Sequence, residues 1–94
     1  MKYELMTIPE VELYIPLMEK YNVSQKARTT GFLHNYIKYG KDMLDKPSDQ
    51  PYLSWREKRE LFIKRTLAAY NKNQTFRRAL SLIAWAFDPN KPNV

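Results

Sequence analysis

The chain has 94 residues, no cysteine, and 16 Lys/Arg against 10 Asp/Glu, giving a net charge of +6. That size makes one domain with a modest core, and the missing cysteines exclude disulfides, thiolate chemistry and cysteine-based zinc sites. Aromatic residues at 14% favour a packed core over disorder, while two glycines leave little material for hairpins or phosphate-cradling loops. Strand-like alternation is hard to find. The expected class is all-α: a compact bundle of roughly four to five short helices with a C-terminal αα-hairpin, as a single helical domain over residues 1–94.

In chain order, residues 1–6 read as a frayed tail without the apolar run of a signal peptide. The longest apolar-rich run, Ala79 to Phe87, is far short of the about 20 residues a bilayer span requires. The expectation is a cytoplasmic protein with no membrane contact. Thr7-Ile8-Pro9-Glu10 has the form of a capping box with proline in the first turn, so a helix begins there. Pro16 is expected to kink it or split it in two. Asn22-Val23-Ser24 reads as a turn with Ser24 as cap. The next helix is predicted in one piece from Gln25 to Tyr39, ended by Gly40 as a left-handed residue, with a further helical turn through Leu44.

Residues 45–53, with Pro47 and Pro51, are expected to form a mobile connector. Ser54-Trp55-Arg56-Glu57 is a second capping box, opening a helix to about Tyr70 or Lys72. Its inner face is Trp55, Arg59, Phe62, Ile63, Thr66, Leu67 and Tyr70. After a turn at 71–74 the last helix is predicted from Thr75 to Phe87, apolar nearly all round and therefore central. Residues 89–94 are expected to fray. The core is expected to rest on Phe62, Leu67, Leu80, Ile83 and Phe87.

Charge supplies the functional lead. Between Ser54 and Arg78 there are eight cations (Arg56, Lys58, Arg59, Lys64, Arg65, Lys72, Arg77, Arg78) and two acids (Glu57, Glu60), so the segment carries 8 − 2 = +6, the whole net charge. A localised basic surface points to an anionic partner and says nothing of fold. Arg77 and Arg78 fall in the first turns of the last helix, where the dipole disfavours cations. Each is therefore expected either to pair with an acid, such as Glu10 or Glu12, or to face a ligand.

A second lead is Leu17 to Arg28, which resembles the centre of a helix-turn-helix, with a turn of the type Asn-Val-Ser before the second helix. That resemblance implies that Ser24, Gln25, Lys26, Arg28 and Thr29 approach bases and phosphates. The plain alternative is a helical corner. Tyr36, Tyr39, Tyr52 and Trp55 present possible stacking faces for unpaired bases, against simple core and rim packing. His34 has no second histidine with which to share a metal. Asp42, Asp45 and Asp49 match no calcium-loop spacing and read as a solvated loop. No nucleotide loop, metal motif or nucleophile elbow occurs, so no enzyme, cofactor, metal site or small-molecule substrate is expected.

The leading expectation is a small basic protein that binds DNA or RNA through Ser24, Gln25, Lys26, Arg28 and Thr29 and through Lys58, Arg65, Lys72, Arg77 and Arg78. The competing expectation is a protein-interaction module, an adaptor or inhibitor of the kind carried by phages and plasmids, acting through a protein partner or a homo-oligomer.

Overall fold

Two capping boxes and two prolines set the helix starts. The computed structural model describes residues 3–50 and 52–90, and its architecture is all-α. Thr7 accepts from the Glu10 amide while the Glu10 carboxylate accepts from the Thr7 amide, and this box opens α1, Ile8–Glu12. Pro16 splits the stretch as anticipated, and α2 begins afresh at Ile15–Lys20. Next come α3, Gln25–Thr29, and α4, Phe32–Tyr39, followed by a 3-10 turn over Gly40–Asp45. The second box, Ser54 with Glu57, opens the long α5, Trp55–Lys72. Thr75 caps α6, Phe76–Ile83, which packs on α5 as the C-terminal hairpin. The radius of gyration is 12.3 Å, close to the ~12 Å of a compact chain of this length.

The predicted helix over 25–39 is in fact two. Gly31 approaches Ala27 so closely that an added Cβ would lie 2.9 Å from the Ala27 Cα. The backbone folds back on itself there, and the Gly31 amide donates to the Lys26 carbonyl at 2.7 Å. Gly40 does end α4 with a positive φ of 70°. Ser24 is not a side-chain cap: its φ is 55° and its hydroxyl caps nothing. The end of α2 uses Asn22 instead, at φ 52°. Asn22 donates to Glu19 at 3.2 Å and Val23 to Met18 at 2.8 Å, the paired bonds of a Schellman turn.

The last helix also stops early, at Ile83 rather than Phe87. Ala86 takes φ 59°, and its amide donates to Ile83 while Phe87 donates to Leu82, a second Schellman turn with alanine in the left-handed position. That conformation costs an L-residue about 1–2 kcal/mol. Tertiary partners offset it, because the Ala86 carbonyl accepts from the Met6 amide at 2.8 Å and from Arg59 Nη2 at 3.0 Å.

Arg59 is the centre of this arrangement. It is 1% exposed and donates from Nε to the Trp85 carbonyl at 2.7 Å, from Nη1 to Tyr3 at 2.7 Å, and from Nη2 to Glu4 at 3.2 Å as well as to Ala86. Residues 3–6, expected to fray, are thereby pinned: Tyr3 and Met6 are buried, and the Tyr36 hydroxyl donates to the Met6 carbonyl at 2.8 Å. Residues 1, 2 and 91–94 of the expected tails lie outside the described residues. Burial pushes the Arg59 guanidinium down to about 10, which leaves it charged at neutral pH.

The main core gathers Val11, Met18, Phe32, Leu33, Tyr36, Trp55, Leu80 and Trp85. A smaller cluster joins Tyr3, Ile63, Tyr70, Leu82 and Phe87. Helix α6 feeds both through Ala79, Leu80, Leu82 and Ile83, but it is amphipathic rather than apolar all round, since Phe76 and Arg77 are exposed on its other face. Of the expected core residues, Leu80, Ile83 and Phe87 are buried, whereas Phe62 and Leu67 are only partly so. Phe62, Trp85 and Phe32 form a stacked column with ring centroids 4.6 and 5.0 Å apart.

Replacing Arg59 by Ala removes its donors from the Tyr3, Glu4 and Trp85 carbonyls and leaves Ala86 with the Met6 amide alone, and the expected loss is about 3–5 kcal/mol in chemical denaturation. Arg59→Lys should recover little of it, since one ammonium cannot span both chain ends. A loss below about 1 kcal/mol for the alanine variant would contradict the assigned role.

Candidate nucleic-acid interface

The cations divide by what holds them. Arg59 is withdrawn into the core. Arg56 pairs with Asp45 at 3.1 Å. Lys58 is held twice, by the Asp49 carboxylate and above the Trp55 ring at 5.7 Å. Arg65 and Lys72 stay exposed on α5, the former with its guanidinium over Phe62 at 5.9 Å.

Arg77 and Arg78 pair with neither Glu10 nor Glu12 among the described residues. Arg77 Nη1 donates to the Tyr21 carbonyl, and Arg78 Nη1 donates to the Asn73 carbonyl at 2.8 Å. Tyr21 ends α2 and Asn73 ends α5, so each arginine bonds a carbonyl at a helix C-terminus, where positive charge is favoured, although Asn73 also accepts from the Thr75 amide at 3.0 Å. An edge-to-face contact between Tyr21 and Phe76, with centroids 5.5 Å apart, holds the start of α6 against the same α2 end. Among the described residues no carboxylate lies within ion-pair distance of Arg28, Arg65, Arg77 or Arg78. A guanidinium has five N–H donors, so one bond to a carbonyl leaves most of its donors and all of its charge available.

The segment that resembles a helix-turn-helix has a different second helix from the one the motif needs. Helix α3 has five residues, about 7.5 Å of rise, before the break at Gly31. Arg28 turns back, Nε donating to the Val23 carbonyl at 3.0 Å, and Thr29 Oγ1 donates to Gln25 at 2.9 Å. Gln25 and Lys26 are exposed. Arg28 and Arg77 therefore both bind the 21–23 turn, one from the adjacent α3 and one from the distant α6. Ser24 and Lys26, by contrast, line a cleft of about 200 Å³ with Asp49, Lys58, and the aromatic residues Phe32, Trp55, Phe62 and Trp85. The structure thus brings Ser24, Lys26 and Lys58 together, and Arg28 with Arg77.

Of the expected stacking set, Tyr36 and Trp55 are core residues, while Tyr39 and Tyr52 are exposed. The connector carries its own bonds: Ser48 donates to Leu53 at 2.9 Å, Trp55 donates to Lys46 at 3.1 Å, and Pro47 bridges to Ser54. Pro51 lies outside the described residues. Asp49, set on this loop, gives Oδ2 to Lys26 at 3.2 Å and Oδ1 to Lys58. No local pattern marked Asp49 in the sequence, since its two partners lie in α3 and α5. Among the described residues no group of three His, Asp or Glu side chains is placed to hold a metal, and no helix is long and apolar enough to cross a membrane.

Compared with known proteins, the chain matches no family model, no curated protein and no solved structure.

Hydrogen bonding from Lys58, helped by Lys26, holds the Asp49 carboxyl below its ordinary pKa. A depressed folded-state value means that the bridge is intact above the usual carboxylate range and is lost as pH falls through the lowered value. NMR of the side-chain carboxyl carbon should show Asp49 titrating low, and Lys58→Gln should return it toward ordinary behaviour. An Asp49 that titrates normally, or that ignores the lysine substitution, would remove the bridge.

Proposed function

We propose that the chain binds nucleic acid by its phosphates, through Arg65 and Lys72 of α5, Arg77 and Arg78 of α6, and Lys26 and Arg28 of α3. What carries the reading is that Arg77 and Arg78 are fixed by helix-end carbonyls without being neutralised by any described acid. A cation positioned by a neutral partner keeps its full field and has lost part of its rotamer freedom in advance, which favours capture of an anion. The contact is one of charge and shape more than of base readout. The short α3, with Arg28 turned back, offers little to lay along a major groove, and Ser24, Gln25 and Thr29 take part at most as phosphate donors. No enzymatic step is assigned, and the compartment proposed is the cytoplasm.

The competing reading is a protein-interaction module. Its support is Leu61, 58% exposed on the outer stripe of α5, which self-association or a protein partner would cover.

Fluorescence anisotropy with single-stranded and duplex oligonucleotides separates the two. With about four phosphates engaged, affinity should fall about a hundredfold between 50 and 200 mM salt. The double variant Arg65→Glu, Lys72→Glu, which touches neither helix-capping arginine, should lose about tenfold or more in affinity with unchanged circular dichroism. Absence of binding at low salt, or equal binding by the variant, would overturn the proposal. A dimer that Leu61→Glu dissociates would favour the interaction module.

A further inference from the structure

The cleft between α3 and α5 contains one feature that the arginine surface does not explain. Two ammonium groups from separate helices, Lys26 and Lys58, converge on a single carboxylate supplied by the 45–53 loop. Asp49 gives one oxygen to each. Ser24 lines the same cleft, and its hydroxyl makes no hydrogen bond among the described residues. The remaining walls are chiefly Phe32, Trp55, Phe62 and Trp85, whose low polarity strengthens any charge interaction beside them.

The aromatic faces themselves are taken. Trp85 is sandwiched between Phe32 and Phe62, Lys58 covers Trp55, and Arg65 covers the Phe62 ring. The cleft is therefore not built to stack a base, and its recognition chemistry lies in Lys26, Lys58 and Ser24. Two ammoniums and a hydroxyl offer more donors than the two oxygens of a carboxylate can spread across three positions, whereas a phosphate presents a third oxygen. Lys26 is 77% exposed at the side chain, against 23% for Lys58 and 31% for Asp49, so the Lys26 arm of the bridge opens readily to solvent while Lys58 stays half-buried in the cleft.

We propose that Lys26, Lys58 and Ser24 form a phosphate site in the cleft between α3 and α5, kept filled in the free protein by Asp49 as an internal stand-in anion. The nucleic-acid backbone as source of that phosphate rests on the reading above; the site itself does not. Binding exchanges one anion for another, so the Asp49 loop acts as a competitor that sets how strongly the cleft engages its ligand.

The test is an NMR titration of the full chain with inorganic phosphate, in the wild type and in Asp49→Asn, with Asp49→Ser as a second form should the first fold poorly. The expected result is saturable shifts at Ser24, Lys26 and Lys58, about tenfold tighter in the variant because two ion pairs, one exposed and one half-buried, no longer need to be broken. Adding Lys26→Gln and Lys58→Gln to the variant should abolish the gain. Glu12→Gln makes the same change in net charge far from the cleft along the chain. If it tightens phosphate binding equally, or if shifts spread without saturation over all basic residues, the proposal is overturned. A glutamate-rich peptide that shifts the three residues as strongly as phosphate would overturn it as well. An oligonucleotide arm then identifies the source. Tighter phosphate binding in Asp49→Asn without any oligonucleotide binding would support the site and refute the nucleic-acid reading alone.

Discussion

A guanidinium buried against backbone carbonyls holds this chain together. Arg59 projects from the first half of α5 and bonds to Tyr3 and Glu4 near one end of the sequence and to Trp85 and Ala86 near the other. Neither segment has helical partners for those carbonyls. The segment carrying Tyr3 and Glu4 precedes α1, and the 84–86 turn lies beyond the last residue of α6. Left to water they would splay, and Tyr3, Met6 and Phe87 would come out of the core with them. A buried charge is costly, and it is tolerated only where its donors are filled in good geometry. Here four carbonyl oxygens surround one planar fork, and the left-handed Ala86 is one consequence of bringing them there.

The same chemistry recurs at lower stakes on the surface. A bundle of short helices has many C-termini, and each leaves carbonyls without partners. Glycine in the position after the cap is the common remedy, but the chain has only two glycines. Here Asn22 closes α2 in the left-handed position, and arginines add further donors: Arg77 to Tyr21 at the end of α2, Arg78 to Asn73 at the end of α5, and Arg28 to Val23 in the turn between α2 and α3. Much of the basic excess is thus tied to the architecture of short helices. Because carbonyls neutralise nothing, the surface arginines keep their charge while losing freedom of movement. Structural use and ligand binding are compatible for these residues, which is why counting charges alone could not separate them.

Local signals carried the helix starts well. Thr7 with Glu10, Ser54 with Glu57, and Pro16 each act over three or four residues, so the sequence displays their whole mechanism. The stops were harder to read. The break at Gly31 depends on its approach to Ala27, and the stop at Ile83 depends on donors from Met6 and Arg59, which lie far away in the chain. Arg59 itself was legible in part: it falls between Trp55 and Ile63 on the inner face of α5, a place where arginine must be buried or the helix must turn. Its inclusion in the surface charge was the error. Ser24 was misjudged as a cap because Val-Ser before a helix is locally persuasive, whereas Asn22 and Ser24 both took left-handed values to close the α2–α3 corner. Asp49 shows the same limit for the site, since its partners come from two other elements.

The sharpest test lies in the arginine side chains themselves. Their Nε–H groups give separate NMR signals, which can be followed while a single-stranded oligonucleotide is added at low salt. The expected result is a slowly exchanging Arg59 signal that does not move, with Arg65, Arg77 and Arg78 shifting together as the oligonucleotide binds. An Arg59 signal that exchanges as fast as the others, or exposed arginines that stay still while the oligonucleotide is bound, would contradict the division between one buried fastener and a charged binding face.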